Sequence, residues 1–224
     1  MTTVILIRHA HSVANEKGIL AGRTPGVTLS KLGKGQALEL NSRLGQLQCK
    51  QISVSPLERC LDTLQPWLKA RGISHENITF DNGFTEVDYG DWTGKKLKSL
   101  SLKKEWRIVQ KTPSRMVFPN GEALQGVQTR AHRSLMRSIK KAGNGIVLVV
   151  SHGDVIKSLI ATALDLELDK FQKIVIDPAS VSVLDYSKGS FRILHLNDST
   201  SSFEHLAQSK RSGKTLIGGG AGRK

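Results

Sequence analysis

The residue pattern points to an α/β chain, a three-layer αβα sandwich built on a mostly parallel central sheet. Val4 to Ile7, Ile52 to Val54 and Ile146 to Val150 are short apolar runs without alternation, the pattern of strands covered on both faces. Each run leads directly into polar or small residues that open a turn or a helix, as strands of a parallel sheet do at their carboxyl ends. The length of 224 residues, 38% apolar and 23% charged, suits one large core.

The elements follow in order. The first strand ends at Arg8-His9. Ser30 is placed to cap a helix in which Leu32, Ala37, Leu40, Leu44 and Leu47 recur at helical spacing, with Gly33 and Gly35 weakening its first turn. The second strand leads into Ser55-Pro56-Leu57-Glu58, where Ser can cap, Pro suits the first helical position and Glu can complete a capping box. Arg59 therefore falls in the first turn of a helix that Pro66 is expected to kink or end near Gln65. Ile78 to Phe80 has the composition of a further strand, and Phe84 to Gly94, rich in turn formers and acids, reads as a functional loop.

Helical pattern resumes between residues 95 and 115. The turn Pro119-Asn120-Gly121-Glu122 opens a long helix through Val127, Ala131, Leu135 and Ile139 that stops at Gly143-Asn144-Gly145. The strongest buried strand, Ile146 to Val150, then runs into Ser151-His152-Gly153-Asp154 and an apolar helix containing Ile156, Leu159 and Ile160. Val181 to Leu184 and Phe191 to Leu196 predict a terminal hairpin. Residues 1–207 form a single domain in this reading, and 208–224 a flexible basic Gly/Ser/Lys tail. Gly213-Lys214-Thr215 in that tail lacks the preceding strand and first glycine of a phosphate-binding loop.

The net charge of +14 raises the question of a polyanionic partner. Five cations lie in the tail, leaving the body 28 Lys and Arg against 19 Asp and Glu, or +9. A second cluster, Lys95 to Arg115, holds eight cations and the single acid Glu105, with Trp106 its one aromatic residue. Base stacking needs more aromatic interleaving than this, so a nucleic-acid partner is not expected. The longest apolar run, Ile146 to Val150, is far short of the ~20 residues that cross a bilayer, and the N-terminus has no basic leader, so a cytoplasmic protein is expected. Cys49 and Cys60 match neither a disulfide framework nor zinc-ligand spacing and read as buried, inert thiols.

The chemistry is concentrated at strand ends. Arg8-His9, Arg59 and His152-Gly153 follow three different strands, and in an open parallel sheet such ends converge on one crevice. Guanidinium forks and helix N-termini there make a site for a phosphate dianion, and an imidazole can attack phosphorus to form a covalent intermediate.

The motif Arg8-His9-Ala10-His11-Ser12-Val13-Ala14-Asn15 resembles the opening R-H-G-x-T-x-x-N of the histidine phosphatase superfamily, the phosphoglycerate mutase-like enzymes. Further resemblances follow in the family's order: Gly22-Arg23, Leu29-Ser30 with Gly33, Ser55-x-Leu57-x-Arg59, Glu86 within Glu86-Val87-Asp88-Tyr89-Gly90, Pro119-x-Gly121-Glu122, and Ser151-His152-Gly153. The likeness implies His9 as the nucleophile, Glu86 as general acid and base, and Arg8, Arg59, His152 and Asn15 as phosphate ligands. Next to bound phosphate His152 is expected to be protonated, while His9 must present an unprotonated nitrogen. His11, in place of the common Glu or Gln, and Arg23 are candidates for substrate contact. Ala10 stands where glycine is usual, which implies a backbone conformation alanine can adopt.

The resemblance further implies a small phosphorylated substrate, no cofactor and no metal, with a homodimer left open, and places residues 95–115 in a lid over the pocket. Hydrolysis of a phosphomonoester is the expected reaction and intramolecular transfer, as in a phosphomutase, the alternative. Two other readings are weaker. His9-x-His11 with Asp154 resembles the layout of metal-dependent α/β-barrel hydrolases, but the chain is short for a barrel of typically ~250 residues. A binding module for nucleic acid or an acidic partner, with a vestigial pocket, would not require Arg8, His9, Arg59, Glu86 and His152 together.

Overall fold

The computed structural model describes residues 1–207, so the expected tail, with its Gly213-Lys214-Thr215, lies outside the described residues. In chain order the strands and α-helices are β1 (Thr2–Arg8), α1 (Val13–Glu16), α2 (Lys31–Leu44), β2 (Cys49–Val54), α3 (Glu58–Ala70), β3 (Thr79–Phe80), α4 (Leu97–Leu100), α5 (Trp106–Lys111), α6 (Leu124–Ala142), β4 (Gly145–Ser151), α7 (Gly153–Ala163), β5 (Val181–Ser187) and β6 (Ser190–Asp198).

The strands form one six-stranded sheet in the order β3-β2-β4-β1-β5-β6. β1, β2, β3 and β4 are parallel to their neighbours among themselves, and the hairpin β5-β6 adds an antiparallel flank. Alternate residues serve the two faces. Val4, Leu6, Val147 and Val149 pack into a core with α6 and α7, whereas Ile5, Ile7, Leu148 and Val150 pack with α2 and α3. Two buried faces explain why these strands read as continuous apolar runs, and the three layers are those the sequence predicts.

Pairing of β1 with β4 sets Arg8 opposite Ser151, and His9 N–H donates to the Ser151 carbonyl at 2.9 Å. Ser55 N–H donates to the Val150 carbonyl at 2.9 Å. The backbone itself thus brings the ends of β1, β2 and β4 side by side, with Arg8-His9, Ser55-Arg59 and His152 at one edge.

Two local expectations are corrected. Of the two outcomes expected at Pro66, a kink or an end, the end is excluded, since helix α3 runs through Pro66 to Ala70. An interior proline costs about 3 kcal/mol, but Trp67 and Leu68 just beyond it are fully buried, each contributing roughly 1.5–3 kcal/mol. Trp67 Nε1 also donates to the Gly45 carbonyl at 2.9 Å, which pins the last turn to the end of α2. Ser55 is not the cap of α3, since Leu57 occupies that position and makes no side-chain cap bond. Its hydroxyl accepts from Leu57 N–H at 3.4 Å and meets His152 Nε2 at 2.8 Å. Ser30 does cap α2, accepting from Gly33 N–H at 3.2 Å.

The basic segment folds as the short helices α4 and α5, with Trp106 stacked on Trp92 at 6.2 Å. All eight of its cations face solvent. No helix among the described residues is long and apolar enough to cross a membrane.

Candidate active site

A cavity of about 390 Å3 opens at the carboxyl ends of β1 and β4, and Arg8, His9, Asn15, Arg59 and Glu86 all line it. His152 is fully buried immediately behind, its ring 5.2 Å from that of His9 and inclined at 61°. Residues distributed over 145 positions of sequence, from Arg8 to His152, thus meet at one point.

His9 is oriented from below. Its Nδ1 lies 2.7 Å from the Ala10 carbonyl, and a carbonyl only accepts, so the ring proton sits on Nδ1 and Nε2 carries the lone pair. Burial and the charges of Arg59 and Arg8 hold the His9 pKa well below 6.5, so the ring is neutral at physiological pH. Ala10 itself is fully buried, donates its N–H to Thr63 Oγ1 at 2.8 Å and does not have a positive φ, which is why alanine is tolerated there.

The two arginines are held by one end and open at the other. Arg59 Nη2 donates to the Gly22 carbonyl at 2.8 Å, and Arg8 Nη1 donates to the Ile176 carbonyl at 2.6 Å. Arg59 Nη1 and Arg8 Nε are buried and have no hydrogen-bond partner among the described residues. Buried donors are nearly always paired, so two orphans on guanidinium groups beside a neutral imidazole define an anion site. Gly22 is needed for this arrangement. Its φ is +52°, and a Cβ there would come within 3.0 Å of Thr93 Oγ1 and 3.2 Å of the Tyr89 ring.

Asn15 belongs to the capping box of α1. Its Oδ1 accepts from Ser12 N–H at 3.0 Å and Ser12 Oγ at 2.9 Å, which leaves the amide NH2 as the donor available to the cavity.

Around His152, Nε2 lies 2.8 Å from Ser55 Oγ and Nδ1 lies 3.3 Å from Arg59 Nη2. Guanidinium cannot accept, so Nδ1 accepts from Arg59 Nη2 and Nε2–H donates to Ser55 Oγ. Burial, Arg59, His9 and Arg8 all push the His152 pKa well below 6.5. These charges hold His152 neutral, and the protonated ring expected beside phosphate would require a dianion to offset the two guanidinium groups.

Glu86 shows the opposite shift. Burial, then the neighbouring charge of Asp154, raise its pKa to about 7, against the lowering effect of Arg59. Its Oε1 accepts from Val87 N–H at 2.9 Å, and Oε2 is 3.8 Å from His152 Nδ1. The loop carrying it is buttressed. Arg130 donates to the carbonyls of Gly83, Thr85 and Glu86, while Glu122 accepts from Arg130, from Arg23 and from Asp88 N–H at 2.7–2.8 Å.

The remaining two candidates are not brought into the cavity. Arg23 donates through Nε to the Glu86 carbonyl at 2.9 Å and through Nη2 to Glu122 at 2.8 Å, holding the acid loop from outside. His11 turns its Nδ1 to Ser30 Oγ at 2.9 Å, at the start of α2. Conversely, Asp154, which the sequence reading names only in the barrel-hydrolase layout, lines the cavity, accepts from Tyr89 OH at 2.9 Å and raises Glu86. Arg130 carried no sequence signal, whereas Glu122 was visible inside Pro119-x-Gly121-Glu122 without a role. Among the described residues no group of three or more His, Cys, Asp and Glu side chains is placed to hold a metal, so His9, His11 and Asp154 do not form the ligand set of the barrel-hydrolase reading. Cys49 and Cys60 are both free, and burial pushes both thiols up to about 12, consistent with inert side chains.

Comparison with known proteins gives this geometry a family. Residues 4–199 match the model of the histidine phosphatase superfamily (branch 1). Phosphoserine phosphatase 1 of Hydrogenobacter thermophilus is 30% identical over 199 residues, 88% of this chain and 92% of the relative. "Probable phosphoglycerate mutase GpmB" of Salmonella choleraesuis is 28% identical over 194 residues, 85% of this chain and 88% of the relative. The crystal structure of the alpha-ribazole phosphatase from Shigella flexneri superposes with a TM-score of 0.79 at 24% identity, covering 90% of this chain and 99% of that one. The arginine-flanked imidazole at the end of β1 and these matches lead to one conclusion: the chain belongs to the histidine phosphatase superfamily.

Proposed function

We propose that the protein is a phosphatase that hydrolyses a small phosphorylated metabolite, a phosphomonoester, through a phosphohistidine on His9. The observation that carries this reading is the pair of buried, unpartnered donors, Arg8 Nε and Arg59 Nη1, flanking an imidazole with its proton on Nδ1 and its lone pair on Nε2. Phosphoryl oxygens occupy those donors and the Asn15 amide, which places phosphorus in front of Nε2.

In the first step Nε2 of His9 bonds to phosphorus as the bond to the alcohol oxygen breaks, and Glu86 gives that oxygen its proton. The ring keeps its Nδ1 proton, so the imidazole of the phosphohistidine is cationic, and the Ala10 carbonyl at 2.7 Å accepts from it. In the second step the Glu86 carboxylate takes a proton from water as the water oxygen attacks phosphorus. The P–N bond breaks, and phosphate leaves with His9 neutral and Glu86 protonated again. A raised Glu86 pKa suits this double role, because one group must donate and accept near neutral pH. Two unpaired thiols fit a reducing compartment, and we take the protein to be cytoplasmic.

The test is a screen of phosphorylated metabolites with wild type and His9→Ala, measuring free phosphate and isomerised product together. Phosphate release by wild type, an acid-labile phosphoryl label on His9 and loss of both in the variant are expected. Isomerised product in place of free phosphate would mean a phosphomutase, and a His9→Ala variant as active as wild type would end the mechanism.

A further inference from the structure

A second cavity of about 190 Å3 adjoins the first, and Leu20, Tyr89, Leu97, Asp154, Lys157 and Gln172 line both. Its remaining walls are mainly aromatic and apolar: Trp92, Trp106, Phe118 and Val109. The rings of Trp92 and Trp106 are stacked 6.2 Å apart at 18°, and Phe118 stands edge-on to both Trp92 (5.3 Å) and Tyr89 (4.9 Å). An apolar cavity of ~150 Å3 is enough to bind benzene, so this one has the volume of a ring, with Trp106 partly exposed to it and Trp92 and Phe118 almost fully buried. The first cavity, at about 390 Å3, takes the phosphate and the atoms joining it to the ring.

Charge narrows the choice. Apart from Arg8 and Arg59, the cation lining the first cavity is Lys157. Its ammonium is committed, 3.4 Å from Asp154, 3.0 Å from Gln172 Oε1 and over the Phe171 ring at 5.3 Å. Asp154 and Asp177 line the same wall. A carboxylate on the leaving alcohol would therefore meet two acids and a cation already paired. The basic segment does not change this, since it contributes Leu97, Trp106, Val109 and Gln110 to the walls and none of its eight cations.

We propose, resting on the phosphomonoesterase reading above, that the alcohol released carries a flat aromatic ring and no second anionic group, with the ring seated in the Trp92-Trp106-Phe118 cavity. Segment 95–115 selects the substrate through its apolar side chains, and its cations are the solvated face of that lid. Aromatic walls favour a ring through stacked and edge-on contacts over an aliphatic chain of equal length.

The experiment compares kcat/KM for phenylalkyl phosphates with one to three methylenes, n-propyl phosphate and phosphoserine. At least one phenylalkyl ester is expected to exceed both of the others tenfold or more. Trp106→Ala should cut that preference about tenfold. Leu97→Trp, at a position 40% exposed and so safe for folding, should do the same by filling the shared wall. His9-dependent turnover with no ring preference, a preference for phosphoserine, or a preference that survives both substitutions would overturn the proposal while leaving the phosphatase reading intact. Absence of His9-dependent turnover on every ester would overturn both.

Discussion

Glu86 Oε2 lies 3.8 Å from His152 Nδ1, and the two groups do not form a simple ion pair. Burial and Asp154 hold a proton on the carboxyl up to about pH 7, whereas burial, Arg59 and His9 hold the imidazole neutral. Glu86 therefore keeps a proton to about neutral pH, which suits the general acid proposed above, and Asp154 contributes to holding it there.

A bell-shaped pH profile of kcat/KM follows. The alkaline limb falls with a midpoint near 7 as Glu86 loses its proton, and the acidic limb lies well below 6.5, where His9 takes one up. Asp154→Asn removes a negative neighbour that raises Glu86, so the alkaline limb moves to lower pH. An alkaline limb that stays in place or moves upward in this variant would contradict the assignment.

Glu86→Gln should lower kcat for alkyl phosphates by about 10²–10⁴-fold, and much less for phosphoryl transfer from p-nitrophenyl phosphate, whose leaving group needs no proton. Equal losses on both esters would remove Glu86 from the acid role. Stability moves the other way. The folded-state pKa of Glu86 is raised, so its contribution is fully present below about pH 4.5 and is lost as pH rises to about 7. The variant should gain stability relative to wild type across that window, by at most about 3 kcal/mol, measured by urea unfolding at pH 4.5 and pH 8.

Arg59→Lys keeps the charge but loses the planar fork that reaches both the Gly22 carbonyl and the cavity. Loss of a preorganised donor to the transferred group is expected to cost about 10²–10³-fold in kcat/KM, with weaker product inhibition by phosphate. Near-wild-type activity in the lysine variant would show that charge alone suffices.

Glu122 touches no atom of the cavity yet fixes the Glu86 loop through Asp88 N–H, Arg23 and Arg130. Glu122→Gln should lower kcat by roughly 10–100-fold with little change in KM, since small displacements of a catalytic group are costly. It should also destabilise the fold by about 1–3 kcal/mol. Unchanged kcat alongside the stability loss would make Glu122 structural only.

Most of the sheet was legible because strands buried on two faces have no alternative but continuous apolar sequence, as in Val4 to Ile7 and Ile146 to Val150. The convergence of Arg8, His9, Arg59 and His152 was legible for the same reason, since parallel strands deliver their ends to one edge. The extension of α3 past Pro66 was not, because it depends on Trp67 finding Gly45 across the fold. Ser55 has the composition of a helix cap, and only the position of His152 shows that its hydroxyl also serves that ring. Arg130 and the cavity-facing role of Asp154 were hidden because both arise from contacts between segments far apart in sequence. For His11 and Arg23 adjacency to the motif suggested substrate contact, whereas in the fold their side chains turn to Ser30 and to Glu122 and do not line the cavity.

Gly22 and Arg23 are consecutive residues with separate duties, one receiving Arg59 on its carbonyl and the other gripping the Glu86 carbonyl. The guanidinium and the loop that carries the carboxyl thus share one anchor in the backbone, alongside the Arg130 and Glu122 contacts that also hold that loop. Displacing that dipeptide would slow formation and breakdown of the covalent intermediate together. Under the mechanism proposed above, drift at position 22 or 23 would therefore disturb the phosphate clamp and the acid together rather than one at a time.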